Sequence, residues 1–180
     1  MRRTVTPLAE AVAWPAILGL VTVAGSLAAS CMTPFAALAV MVAATLPTGR
    51  AVSTLMAIWL ANQLIGFTVL GYPHSLLALA SGLSLLAGGL AALLVATLAG
   101  VRWGQLPRLI LAFALGFAVQ ELVIYAADLV IGGTETFAPR YMVPIALAEG
   151  LWFAILLALS AGLQRLAPRL APHAPVLRFA

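Results

Sequence analysis

The sequence predicts an all-α integral membrane bundle of six transmembrane helices, the second of them short. Three observations carry this reading. First, 64% of the 180 residues are hydrophobic and 8% charged, with a mean hydropathy of +1.13; a soluble domain has about 45–50% and 25%. Second, apolar stretches recur at 9–31, 34–47, 51–70, 76–100, 109–132 and 141–164. Most of them approach or exceed the roughly 20 residues that cross about 30 Å of hydrocarbon. Third, the separators are short and rich in Pro, Gly and charge, as in Pro47-Thr48-Gly49-Arg50 and Gly71-Tyr72-Pro73-His74-Ser75, which is how helices end at an interface. No repeat or linker divides the chain. Residues 1–166 read as one membrane domain and 167–180 as a cytoplasmic tail.

The first stretch follows Arg2-Arg3 and ends in Ala28-Ala29-Ser30-Cys31. That ending also has the outline of a lipoprotein signal with Cys31 as the lipidated residue, although Ala28 stands where a larger aliphatic side chain is usual. The second stretch is the short one: fourteen residues at 1.5 Å each reach about 21 Å. Thr33-Pro34 before it reads as an N-cap followed by a first-turn proline.

Arginine placement decides whether this stretch crosses, because cytoplasmic loops concentrate basic residues. With six crossings and the N-terminus inside, Arg2, Arg3, Arg50, Arg102, Arg108, Arg165, Arg169 and Arg178 are cytoplasmic and only Arg140 is outside. If 34–47 fails to cross, the split becomes three inside and six outside. Six spans follow, with both termini cytoplasmic in a bacterial inner membrane.

This topology gives each polar residue a depth. The third stretch carries Asn62 and Gln63 just beyond the midplane. The fourth carries Ala78, Gly82 and Gly88-Gly89, small residues suited to close helix approach. The fifth places Gln120 and Glu121 near the middle and Asp128 near the outer end. The sixth places Glu149 about 12 Å below the outer surface. Cys31, Tyr72, His74, Glu135, Arg140 and Tyr141 fall at the outer face. The cytoplasmic half has few polar groups beyond loop arginines, so the pattern suggests a cavity opening outward.

Glu121, Tyr125 and Asp128 share a helix face by i, i+4, i+7 spacing, with Phe117 a turn below. A carboxyl at bilayer depth costs roughly 2.5–3.5 kcal/mol on insertion scales and should face the interior. It serves there as a ligand contact or proton site, or as a structural hydrogen bond from Glu121 to Asn62 or Gln63. Glu149 can be a ligand group or can pair with Arg140 at the rim. Asn62 and Gln63 point about 100° apart, so one can face a cavity while the other meets a neighbouring helix.

Cys31 and His74 are the chain's single cysteine and the single histidine outside the tail. Together they are donors for a transition metal; separately they are a small buried hydrophobe and an interfacial imidazole. The aromatic belt accounts for Tyr72, Tyr141, Trp103 and Trp14. No nucleotide loop, zinc helix or hydrolase triad is present, so the chain reads as a non-enzyme without a resident cofactor. Nine arginines and no lysine are too few to line a nucleic-acid groove.

Six short spans, cytoplasmic termini, a short second span and an outward polar cluster together resemble the S-component, the vitamin-binding membrane subunit of energy-coupling-factor transporters. The resemblance covers the whole chain as architecture, without a signature motif; Ala9-xxx-Ala13 matches the small-residue pattern by which the family's first helix meets its coupling subunit. It implies uptake of a vitamin-like small molecule from the outer face, with a coupling membrane subunit and ATPase subunits as partners. It points to Asn62, Gln63, Tyr72, His74, Tyr125, Asp128 and Glu149 as ligand contacts, alongside Glu121 on the acid face. A corrinoid is the sharper version, with Cys31 or His74 on cobalt. Two other readings stay open: a proton-coupled carrier protonated at Glu121, and a structural or assembly subunit of a larger membrane complex.

Overall fold

The computed structural model describes residues 7–28 and 34–167, the side chains of residues 7–11, 26 and 28 aside. Cys31, Thr33 and the tail from residue 168 onward lie outside the described residues, as do the side chains of Ala9 and Ala28. The described residues form α1 (Pro7–Ala28), α2 (Phe35–Thr45), α3 (Thr48–Thr68), α4 (Leu76–Leu98), α5 (Leu106–Ile131) and α6 (Pro139–Leu166). A 3-10 turn, Thr134–Phe137, joins α5 to α6.

Alanine and leucine favour these helices along their length, and local chemistry sets their ends. Ser75 Oγ accepts the Ala78 N–H at 3.2 Å and caps α4. Pro107 and Pro139 occupy the first turns of α5 and α6, where an N–H would have no helical partner. α5 stops at Gly132-Gly133, whose φ angles of +90° and +113° are costly for any residue with a Cβ.

α3, α4, α5 and α6 are long and apolar enough to cross a membrane, by length and composition. Their outer faces are apolar as well, with Leu83, Leu94, Leu122 and Leu151 exposed. Helices that are hydrophobic all round belong in lipid. The chain is a membrane-embedded all-α protein.

α2 is built differently. Its 11 residues span about 16 Å, and Phe35 through Val42 are completely buried. It is packed by α3, α4, α5 and α6. α1 reaches it through Trp14, whose Nε1 donates to Thr45 Oγ1 at 2.9 Å; the Thr45 hydroxyl in turn donates to the Met41 carbonyl at 2.6 Å. Trp14 and Trp103 are both buried among helices, and Trp103 Nε1 donates to Gln164 Oε1 at 2.9 Å. An indole N–H that is buried needs an acceptor, and each has one.

α4 and α5 run antiparallel in close contact. A Cβ on Gly88 would stand 3.0 Å from Gln120 Cγ, and one on Gly116 would stand 3.5 Å from Ala92 Cβ. Small residues one turn apart permit this approach. Connections 69–75 and 132–138 therefore share one end of the bundle, while 46–47 and 99–105 share the other. Phe35 lies against Gly89, near the middle of α4, and Thr45 lies beside Trp14, near the start of α1. α2 thus fills only the half of the bundle nearer Arg102. Among the described residues, no helix continues it toward Gly132.

Candidate functional site

A helix that begins in the bundle interior leaves backbone N–H groups without partners. Pro34 stands at the N-cap of α2, not at its first helical position, and gives no side-chain cap. The cap comes from 112 residues away. Glu149, itself 5% exposed, accepts the Ala37 N–H at Oε2 (3.1 Å) and the Ala36 N–H at Oε1 (3.4 Å). An anion at a helix N-terminus also meets the positive end of the helix dipole. Glu149 is therefore tied to α2, and the pairing with Arg140 does not form. Arg140 instead sits 4.8 Å over the Tyr141 ring.

Directly beyond this cap lies a partly enclosed cavity of about 210 Å³. Its floor is Pro34 and Glu149. Gln120 and Glu121 of α5 form one wall, and Ile145 and Trp152 of α6 another. Phe137 of the 3-10 turn and Met142 line it toward the Gly132 end. Gln120 Nε2 donates to Glu121 Oε1 at 3.4 Å, and its amide also comes within reach of Glu149. Gln120 is only 3% exposed, yet its Oε1 has no partner. A buried acceptor left without a donor is uncommon in a folded protein.

The residues expected at one outward site separate into two groups. Glu121 and Glu149 line the cavity. Tyr125 does not, but its ring meets Phe137 edge-on at 5.0 Å and so braces the cavity wall at the Gly132 end. Asp128 is buried against Gly133 at the end of α5 and is absent from the cavity lining. Phe117 stacks with Phe113, which stacks on Phe153 at 4.5 Å.

The other group belongs to α3 and its following loop. Gln63 packs on Gly82 of α4, where any Cβ would collide with its Nε2, and Trp59 Nε1 donates to the Gly82 carbonyl at 2.8 Å. Asn62 is half-buried and has a partner of its own. The structural hydrogen bond expected between Glu121 and Asn62 or Gln63 is replaced by one that Glu121 accepts from Gln120, its neighbour on α5. Tyr72 covers Gly66 and meets Phe67 edge-on at 6.0 Å, while His74 stacks on Phe67 at 5.5 Å. These rings fasten the loop onto the end of α3. None of these four side chains lines the cavity.

No family model, curated protein or solved structure matches the chain. Its chemistry therefore has to come from the cavity itself. Among the described residues, no group of three or more His, Cys, Asp or Glu side chains could hold a metal ion. His74 is engaged with Phe67, and Cys31 lies outside the described residues.

Several site residues were not anticipated. Met142, Ile145, Glu149 and Trp152 recur at helical spacing along α6, so Glu149 could have pointed to Trp152 one turn on. Gln120 was read only by its depth, and its unpartnered oxygen emerges from the packed structure. Phe137 and Thr136 come from a turn between spans, and periodicity carries no signal there.

Proposed function

We propose that this protein is a binding and uptake subunit, not an enzyme, which captures a compact vitamin-like solute in the cavity beyond α2. The observation that carries the reading is the cavity's construction. A helix starts inside the bundle, its N-terminus is neutralised by an internal carboxylate, and the space above it is lined by aromatic and apolar walls with a few polar groups. Small-molecule sites have that composition, and discontinuous helices meeting a site near the midplane are a transporter device. The arginine distribution orients this cavity toward the outside of a bacterial inner membrane, with six crossings and cytoplasmic termini. At about 210 Å³ the cavity favours a compact solute, or the head of a larger one, over a corrinoid.

The likeness in architecture to the vitamin-binding subunits of energy-coupling-factor transporters supports the same role and would add a coupling membrane subunit and ATPase subunits as partners. A second reading, an assembly subunit, draws on a different feature. An apolar groove of about 500 Å³ runs between α1 and α3, lined by small residues such as Ala16, Gly19, Ala57 and Ala61. Small residues of this kind let a partner helix approach closely.

Native mass spectrometry of protein released from its membranes separates the two. The uptake reading expects a bound small molecule that is lost in Trp152→Ala. A ligand-free chain in a stable complex with other membrane proteins supports the assembly reading instead.

A further inference from the structure

The cavity's polar groups specify the charge of its occupant. Three of them matter, and they are not equivalent. Glu149 spends both oxygens on the α2 backbone, so its acceptors already face the positive end of that helix. Among the described residues, Glu121 has only the Gln120 amide, at 3.4 Å. Gln120 Oε1 is buried with no donor at all. No arginine among the described residues lines the cavity. Among the described residues, the cavity lining thus carries one carboxyl with a single long hydrogen bond and one buried carbonyl without a partner, both acceptors, together with the rings of Phe137 and Trp152.

The N-terminus of a half-helix would ordinarily suit an anion. Here that position is filled from within by Glu149, so an anionic solute would have to displace it and also face Glu121. A neutral acceptor would leave Gln120 Oε1 unpartnered. A donor with positive charge satisfies both free acceptors together, and aromatic faces add to its stability.

We propose that the cavity selects a solute bearing a hydrogen-bond-donating cation, a protonated amine or amidinium, on a small flat apolar body. The carboxyl of Glu121 takes the charge, Gln120 Oε1 takes a second N–H, and the apolar body rests between Phe137 and Trp152. This assignment rests on the uptake reading above and adds to it the charge class of the ligand.

Four probes of nearly equal shape test it: benzylamine, benzamidine, benzyl alcohol and benzoate, titrated into the full-length protein in lipid nanodiscs and followed by tryptophan fluorescence and thermal shift. A charge-assisted hydrogen bond in a sheltered site corresponds to roughly ten- to a hundredfold in affinity. Benzylamine and benzamidine should bind at least tenfold more tightly than benzyl alcohol, with benzoate weakest. Glu121→Gln should abolish that preference while benzyl alcohol binding persists. Gln120→Met, which keeps the volume against Gly88, should reduce it severalfold and serves if the first variant folds poorly.

Equal affinity for the cations and benzyl alcohol, or tighter binding of benzoate, overturns the charge assignment. If benzyl alcohol binding is still lost in Trp152→Ala, the solute cavity survives that result. Failure of all four probes to bind overturns the charge assignment; absence of a co-purified small molecule in the mass measurement separately overturns the uptake reading.

Discussion

Replacing Glu149 by alanine should destabilise the bundle before it affects anything else. The substitution strips the acceptors from two N–H groups at the buried start of α2. Leaving a buried donor unsatisfied costs about 1–3 kcal/mol. The Ala37 bond at 3.1 Å should carry most of its share and the 3.4 Å bond to Ala36 less, so a loss of about 2–5 kcal/mol follows. Part of that is offset because a carboxyl no longer has to be held at bilayer depth. Glu149→Gln keeps one acceptor oxygen and can serve the stronger bond, so it should lose about half as much. Unfolding by SDS titration in mixed micelles, followed by tryptophan fluorescence, reads the difference. The expected order is wild type, then Glu149→Gln, then Glu149→Ala. If Glu149→Ala unfolds with wild-type stability, the carboxylate is not the cap of α2, and the account of how a helix starts inside this bundle is wrong.

Other substitutions separate packing from function. Gly88→Ala should cost about 1–3 kcal/mol in the same titration and weaken solute binding, because its Cβ meets Gln120 at both Cγ and the backbone carbonyl. Gly82→Ala should cost less, since it meets the movable end of the Gln63 side chain; equal losses would contradict the close α4–α5 contact. Asp128→Asn should leave solute affinity within a factor of about two, whereas Glu121→Gln should reduce it by roughly tenfold or more, measured on the same preparations; the reverse order would move the site to the end of α5. In a Cys31→Ser background, Ser75→Cys should react with an impermeant thiol reagent on intact cells and Gly104→Cys should not, the opposite pattern reversing the orientation.

The fold was legible because lipid leaves little choice. Apolar runs of about 20 residues, broken by Pro, Gly and Arg, can only be helices when no water is present to satisfy the backbone. The brevity of the second stretch was legible too, and α2 is shorter still. What composition hid was its burial on every side, because a sequence such as Phe35-Ala-Ala-Leu-Ala-Val-Met reads the same facing lipid or facing helices. Burial in turn required an internal cap, and nothing local links Glu149 to Ala36 and Ala37. Glu121 and Glu149, read at different depths on separate helices, line the same cavity. Depth alone could not tell that Gln63, read just beyond the midplane, and His74, read at the outer face, turn toward α4 and Phe67. The i, i+7 relation of Asp128 to Glu121 proved a weak guide for a similar reason: Asp128 stands where α5 is ending, packed against Gly133.

The central claim is that a cavity above α2 is reached from outside the membrane. Ala148 lines that cavity, whereas Ala158, further along α6, is exposed on the bundle surface outside it. In the Cys31→Ser background, Ala148→Cys should react with a small impermeant methanethiosulfonate reagent added to intact cells, and Ala158→Cys should remain unmodified. An Ala148→Cys thiol that stays unreactive from outside, or reacts only in inverted vesicles, would contradict the account.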